Sequence, residues 1–130
     1  MKFVILGEPV PKGRPHLSSF GGHARAYTPA KTRKAEDNMR AQIVNQLPKD
    51  WIPYNETPLS IHIFIFRSKP KSISKKRIFP VTKPDLDNFI KSILDAMNSV
   101  VFRDDSIVCK IEALKNYDDI PRIEIWVDEL

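Results

Sequence analysis

The chain has 130 residues, of which 42% are hydrophobic, a size that indicates one domain over residues 1–130 with a single core. Its one cysteine, Cys109, excludes an internal disulfide and a cysteine-rich zinc site, and no apolar run of 18 residues is present to cross a membrane. The formal net charge of +5 is unevenly divided, because residues 1–83 carry 16 basic and 5 acidic side chains whereas residues 84–130 carry 5 and 11.

This uneven charge suits a nuclease, which needs a basic surface for phosphates and an acidic focus for a metal ion. A merely solvated basic face is the alternative interpretation. Cys109 stands in an apolar stretch, which predicts a buried thiol in a reducing compartment. No signal sequence precedes Gly7, so the expected location is cytoplasmic, without a membrane partner.

The predicted elements begin with a strand from Lys2 to Glu8, which Gly7 and Pro9 end. Residues 9–27 are predicted to form a loop whose cations and glycines bring positive charge close to a phosphate backbone. The loop residues assigned to DNA contact are Lys12, Arg14, His16 and Arg25. The loop also contains His23, but zinc is a poor interpretation of its two histidines because no cysteine or acidic partner is nearby.

A first helix is predicted over residues 29–46, because Thr28 and Pro29 form an N-cap followed by proline at the first helical position. One side of this helix is basic and includes Lys31, a further candidate for DNA contact. The residues predicted to form its core stripe are Met39, Ile43, Val44 and Leu47.

Pro58 to Arg67 becomes fully apolar towards its end, the pattern of a central strand covered on both sides. Ser68 to Pro84 then carries six basic residues and no acidic one, so we expect a basic arm that grips the DNA strand. The arm residues assigned to DNA contact are Lys69, Lys71, Lys75, Lys76 and Arg77.

A second helix is predicted from an N-cap at Asp85 to about Asn98, since Pro84 keeps Lys83 out of the helical region. One arc of this helix is wholly polar and the rest is apolar, which is the pattern of a helix packed on a sheet. The polar arc contains Asp87, Asn88, Lys91, Ser92, Asp95 and Asn98. The positive end of the helix dipole favours ionised carboxylates at Asp85 and Asp87.

A second acidic pair, Asp104 and Asp105, follows this helix closely, so three or four carboxylates are expected to converge. Hard divalent cations such as Mg²⁺ take oxygen ligands, and carboxylates around an open position make a catalytic metal site. Lys91 stands one turn beyond Asp87, where its ammonium can stabilise charge on a phosphate.

A purely structural interpretation of the same residues stays open at this point. An Asp N-cap, an i,i+4 pair of Asp87 with Lys91 and a charged Asp-Asp turn are all ordinary in soluble proteins. An EF-hand is excluded, because Ile90 and Ala96 occupy the positions of its glycine and glutamate.

The last two strands are predicted at Ser106 to Asn116 and Arg122 to Asp128, paired as an antiparallel hairpin. The resulting order is β-α-β-α-β-β. It predicts an α+β fold in which helices pack on a mixed β-sheet.

Residues 83–98 follow the pattern KPDLDNxxKxxxDAxN, and residues 101–106 are VFRDDS. Residues 7–15, GEPVPKGRP, and residues 26–32, AYTPAKT, add a basic N-terminal motif. Together these stretches resemble the signature of RusA-type Holliday junction resolvases, over nearly the whole chain. The resemblance implies a RusA-like fold, metal-binding aspartates at Asp85, Asp87 and Asp105, with Asp104 as the alternative third ligand, and a catalytic lysine at Lys91.

The function that the resemblance implies is Mg²⁺-dependent resolution of Holliday (four-way) junctions by paired phosphodiester cleavage in DNA recombination and repair. Mn²⁺ is the alternative metal, and no organic cofactor is expected. The resemblance also implies a homodimer and a bacterial, prophage or phage source, and a two-fold assembly matches a two-fold substrate. The alternatives are a non-catalytic module that binds branched DNA and a nuclease of broader structure preference.

Overall fold

A computed structural model describes residues 1–12, 16–18, 25–27 and 30–130, with the backbone alone described at 16–18 and 25–27. Within these ranges the elements are β1 (Lys2–Leu6), β2 (His16–Ser18), β3 (Arg25–Tyr27), α1 (Ala30–Gln46), β4 (Leu59–Arg67), α2 (Leu86–Met97), β5 (Val108–Tyr117) and β6 (Arg122–Glu129). A 3₁₀ turn at Asp105–Ile107 precedes β5. The longer elements follow the predicted β-α-β-α-β-β order, which confirms the α+β class.

The connection predicted as a loop over residues 9–27 contains two short strands. β2 pairs with β3 in the antiparallel sense, with His16 opposite Tyr27 and Ser18 opposite Arg25. Three-residue strands carry too little alternation to stand out from a loop in the sequence, which is why the prediction missed them. The predicted cap at Thr28 and Pro29 lies outside the described residues, as does Arg14.

The main sheet has the strand order β1-β6-β4-β5, so the predicted hairpin of the last two strands is wrong. β6 runs antiparallel to both β1 and β4, whereas β5 runs parallel to β4 at the edge. Alternate residues of β4 and β6 are fully buried, but β5 buries none of its residues fully. The two strands with the most apolar inner faces therefore take the centre, since that arrangement removes the most apolar surface from water.

Both helices pack against one face of this sheet, where a single core joins Met39 and Ile43 of α1 to Phe89 and Ile93 of α2. β4 is buried only at every second position, so the prediction that it is covered on both sides is wrong. On the opposite face its residues His62, Phe64 and Phe66 are half-buried. We call this opposite face the open face of the sheet.

α1 packs beside β1 and satisfies the backbone of that edge strand through two glutamines. Gln46 accepts a hydrogen bond from the Val4 N–H at 2.9 Å and donates to the Val4 carbonyl at 2.8 Å. Gln42 makes the equivalent pair with Leu6 at 2.9 and 3.1 Å. Val44, which was predicted in the core stripe of α1, is exposed instead.

α2 begins and ends close to the predicted residues, with Asp85 as N-cap and Asn98 as C-cap. One member of its predicted polar arc, Ser92, is buried, because the apolar contact with the sheet and α1 is wider than the hydrophobic residues alone suggest. Arg40 of α1 donates hydrogen bonds to the carbonyls of Asp95 and Ala96 at 2.7 and 3.3 Å. These bonds fix the C-terminal half of α2 against α1.

Cys109 is exposed, so the prediction of a buried thiol is wrong. The register between β4 and β5 shifts between Leu59 and Ser60, and Cys109 falls at this irregularity on the edge strand. An apolar local sequence does not bury a residue there, because β5 is the edge strand of the sheet and no other described strand pairs with its outer side. None of the helices in the described part of the chain is long and apolar enough to span a membrane.

Candidate active site

The N-terminus of α2 carries two exposed carboxylates. Asp85 caps the helix with extended backbone angles, φ −69° and ψ 150°, but among the described residues its side chain makes no capping hydrogen bond. Asp87 lies in the first turn of the helix and is exposed. Both carboxylates therefore stand at the positive end of the helix dipole with oxygen atoms available to a cation or to water.

The second acidic pair lies at the 3₁₀ turn, which contacts α2. Asp104 caps this turn by accepting a hydrogen bond from the Ser106 N–H at 3.1 Å, and hydrogen bonding from Ser106 holds the pKa of Asp104 below its ordinary value. Asp105 is the first residue of the turn and is half-buried. Asp104 therefore uses one carboxylate oxygen in the cap, and the choice between Asp105 and Asp104 as the third metal ligand stays a prediction.

The candidate donors of these aspartates are all carboxylate oxygens, which is the ligand type that hard divalent cations prefer. Within the ranges that the structure describes, however, no three acidic, histidine or cysteine side chains form a ready-made metal cluster. Unliganded carboxylates repel one another, so they are expected to spread in the absence of a cation. The 3₁₀ turn that carries the second acidic pair contacts α2, and the convergence of these side chains on one ion stays a prediction.

Lys91 lies on the same helix, with 67% of its side chain exposed. Its Nζ is 3.9 Å from Asp95 Oδ2, one turn further along, rather than paired with Asp87 as the structural interpretation of the sequence required. An exposed pair at this distance is weak. The Lys91 ammonium can therefore leave Asp95 for a phosphate at little cost.

Lys12, predicted to contact DNA, is held in an ion-pair network beside α2. Its Nζ lies 3.0 Å from Glu36 Oε1 and 3.2 Å from Asp95 Oδ2, with 19% of the side chain exposed. Burial lowers the pKa of Lys12, but the hydrogen bonds to Glu36 and Asp95 outweigh it, so the pKa is raised above its ordinary value. The Lys12 N–H also donates to the Asn88 carbonyl at 3.0 Å. Lys12 thus fastens the N-terminal segment to the helix that carries the acidic residues.

Sequence reasoning missed Glu36 and Asp95 as partners of Lys12. Asp95 was placed on the polar arc of α2, which was a usable signal that it has a polar partner. No local pattern identifies Glu36, because it is 24 residues away from Lys12 along the chain.

The basic arm between β4 and α2 presents most of the predicted DNA-contacting cations. Lys71, Lys75, Lys76 and Arg77 are exposed, and so is Lys31 at the start of α1. Lys69 is half-buried and donates to the carbonyls of Ser74 and Lys75 at 3.1 and 3.0 Å, while its Nζ lies 5.6 Å from the centre of the Tyr117 ring. Lys69 therefore orders the arm. For His16 and Arg25 the structure describes the backbone alone, in β2 and β3.

Comparison with known proteins identifies the family. The sequence profile of the family described as "Endodeoxyribonuclease RusA" matches residues 7–128. The chain belongs to the RusA endodeoxyribonuclease family. The matched range contains both acidic elements, Lys91, Lys12 and the whole basic arm.

Two relatives are similar to this RusA-family chain. "Uncharacterized protein YqaN" of Bacillus subtilis (strain 168) is 31% identical over 140 aligned positions, which cover 100% of this chain and 96% of YqaN. "Crossover junction endodeoxyribonuclease rusA" of Lactococcus phage r1t is 32% identical over 96 positions, which cover 72% of this chain and 70% of the phage protein. The α+β fold with its mixed four-stranded sheet is consistent with a RusA-like fold.

Proposed function

We propose that this chain is a metal-dependent, structure-specific endodeoxyribonuclease that resolves four-way DNA junctions in recombination and repair. The observation that carries the proposal is the RusA family match over residues 7–128, which spans the acidic elements at α2 and at the 3₁₀ turn. The name of the phage relative, a crossover junction endodeoxyribonuclease, supports the same substrate. The exposed cations of the basic arm supply the positive surface that DNA binding needs.

The residues proposed to hold Mg²⁺ are Asp85, Asp87 and Asp105, with Mn²⁺ as a substitute ion and no organic cofactor. An ion bound there supplies Lewis-acid stabilisation to a phosphodiester. Lys91 neutralises the charge that develops on the phosphate oxygens, and its weak contact with Asp95 keeps the ammonium near the helix until DNA arrives. The basic arm orients the strand so that the scissile phosphate reaches this end of α2.

We further propose a homodimer, since each chain supplies one acidic site and a four-way junction needs paired cuts on opposed strands. The open face of the sheet is the surface that we assign to the second copy. It carries an aromatic cluster in which Phe64 lies 6.5 Å from Phe66 and 5.3 Å from Trp126 between ring centroids. β4 is an inner strand that pairs with β5 and β6, so its own edges are already hydrogen-bonded within the sheet.

The test of activity compares the wild type with Asp87→Asn on a synthetic four-way junction, with Mg²⁺ and with chelator. The wild type is expected to cut only with the metal. Asp87→Asn is expected to lose at least about a hundredfold in cutting rate, the scale of one missing electrostatic contribution to catalysis, while still binding the junction. Asp37→Asn is the matched control, because Asp37 is an exposed carboxylate on α1, and it should cut normally.

Two outcomes contradict these proposals in different ways. Equal cutting by the wild type and Asp87→Asn rejects the assigned site but leaves the activity standing. Tight binding of the junction, with no metal requirement and no cleavage of any branched, flapped or linear DNA, means that the chain is a non-catalytic binding module.

A further inference from the structure

The basic arm contains an apolar tip, residues 78–81, which is separated from the acidic end of α2 by three residues. Ile78 is 59% exposed, Phe79 is 50% exposed and Val81 is 74% exposed. In the described part of the chain no other stretch exposes three large apolar side chains within four positions. Such a cluster costs hydrophobic free energy unless another molecule covers it.

The tip is held in this exposed position by the fold. The Tyr117 N–H donates to the Ile78 carbonyl at 2.8 Å, and Lys115 Nζ donates to the carbonyls of Thr82 and Pro84 at 3.3 and 3.0 Å. The backbone is thus anchored to the end of β5 on both sides of the tip. A fixed tip loses little conformational entropy when it inserts into a partner.

Pro80 completes this arrangement, because it is buried while its two neighbours are exposed. The proline ring points into the protein, so Phe79 and Val81 are kept out of the core on either side of it. The tip is therefore exposed because the backbone on either side of it, together with Pro80, is fixed to the protein.

The charges around the tip indicate what covers it. Lys75, Lys76 and Arg77 precede it and Lys83 follows it, all of them exposed, and residues 68–84 contain no acidic side chain. Asp118 and Asp119 line a depression together with Lys75, Arg77 and Ile78, but Asp118 is paired with Arg122 at 2.7 Å, so the positive charges predominate around the tip. The complementary partner is an apolar surface bordered by negative charge. Stacked bases between two phosphate backbones have this character, and apolar side chains of proteins are known to enter base steps in this way.

We propose that Phe79 is a wedge that enters the base stack at the branch point of DNA, while Lys75, Lys76 and Arg77 hold the phosphates beside it. This inference rests on the proposed junction substrate and adds the group that recognises the branch. Bases at a branch point are less completely stacked than those in a duplex, so the unstacking cost is lowest there. The wedge thus favours junctions over duplex DNA.

The position of Phe79 also predicts how far the scissile phosphate lies from the branch point. Phe79 precedes Asp85 by six residues, and a chain of that length spans at most about 20 Å. Successive bases on one strand are about 3.4 Å apart along the axis. The scissile phosphate is therefore expected within about six nucleotides of the base step that Phe79 enters.

The experiment uses a four-way junction with 2-aminopurine at the branch, bound by the full chain in chelator so that no cutting occurs. The wild type is expected to raise the fluorescence by unstacking the probe. Phe79→Ala should abolish most of the rise and lower the preference for junction over duplex by roughly 5- to 150-fold, the range that stacking on one base supplies. Phe79→Tyr should keep both properties, because the ring is retained.

Ile52→Ala is the matched control, since Ile52 is an exposed apolar residue in the loop before β4, and it should behave as the wild type. A Phe79→Ala protein with the wild-type fluorescence rise and junction preference overturns the wedge. The wedge is also overturned if Phe79→Ala changes the sedimentation of the free protein but leaves the fluorescence rise on the junction unchanged, because the tip is then a protein interface. A wild type that unstacks the probe but never cuts DNA with Mg²⁺ leaves the wedge standing and rejects the proposed nuclease.

Discussion

Lys12 is a largely buried cation that lies between two carboxylates, unlike a lysine on the open surface. Its ammonium lies between Glu36 and Asp95, at 3.0 and 3.2 Å, and most of its side chain is removed from solvent. Replacing it with Met leaves two carboxylates without their common partner and is expected to lower the free energy of unfolding by about 1–3 kcal/mol at pH 8. Lys49→Met is the control, because Lys49 is exposed in the loop after α1.

The stabilisation by Lys12 should also depend on pH. The pKa of Lys12 in the folded protein is above its ordinary value of 10.5, so the stabilisation is fully present below pH 10.5 and is lost as the pH rises through the higher folded value. Urea unfolding at pH 8 and above pH 11 measures this: the difference between the wild type and Lys12→Met should shrink at the higher pH. A constant difference would mean that packing of the Lys12 chain, and not its charge, is what stabilises the protein.

Residue environments such as this one divide into those that the sequence predicts and those that it does not. Asp85 was predicted at the N-cap position from its immediate neighbours, and it occupies that position, although its side chain makes no capping hydrogen bond to a described residue. The partners of Lys12 and the exposure of Cys109 depend on segments far away in the chain. Local chemistry determined the first, whereas strand order and helix docking determined the others.

At the scale of elements, α1 and β1 depend on the two glutamines that replace a neighbouring strand. Gln46→Ala removes the bonds to the Val4 N–H and carbonyl and is expected to lower the free energy of unfolding by about 1 kcal/mol, the net value of exposed hydrogen bonds. Asn45→Ala is the control, because it is an exposed amide on the same helix. Chemical unfolding of the two variants should differ, and equal stability would show that water replaces these bonds without loss.

The elements also show where prediction from sequence stops. Both helices and the three long strands were found within a few residues of their bounds, because amphipathic period, caps and breakers are local signals. The pairing of β5 with β6 was wrong, because adjacency in the chain favoured a hairpin. The choice of neighbour is a competition between all strands for the buried centre, so it depends on comparing the inner faces of all the strands and not on adjacency in the chain.

At the scale of the whole molecule, the proposed dimer gives a direct test of the open face. Phe64→Asp places a charge in the aromatic cluster and is expected to weaken dimerisation at least tenfold, because an unpaired charge is then buried on association. Sedimentation at micromolar concentration measures it, with Ile120→Asp in the exposed turn before β6 as the control. An unchanged dimer with Phe64→Asp rejects the open face as the interface.

A separate observation would contradict the proposal that a dimer is needed. A wild type that is strictly monomeric and still cuts both strands of one junction before dissociating would show that paired sites are not needed. Folding of each variant is checked by its unfolding transition, so that loss of association is not confused with loss of structure.

The attachment of the arm to the end of β5 has a consequence for how many copies can join. The Tyr117 N–H is occupied by the Ile78 carbonyl at one border of the sheet, and Gln42 and Gln46 occupy the backbone of β1 at the other. Addition of strands from further molecules, which propagates into fibres, is thereby obstructed along β1 and at the C-terminal end of β5. Association through a face is self-limiting, since two copies cover each other's surface and leave none for a third. For the proposed dimer, these features favour a closed pair over an open-ended polymer.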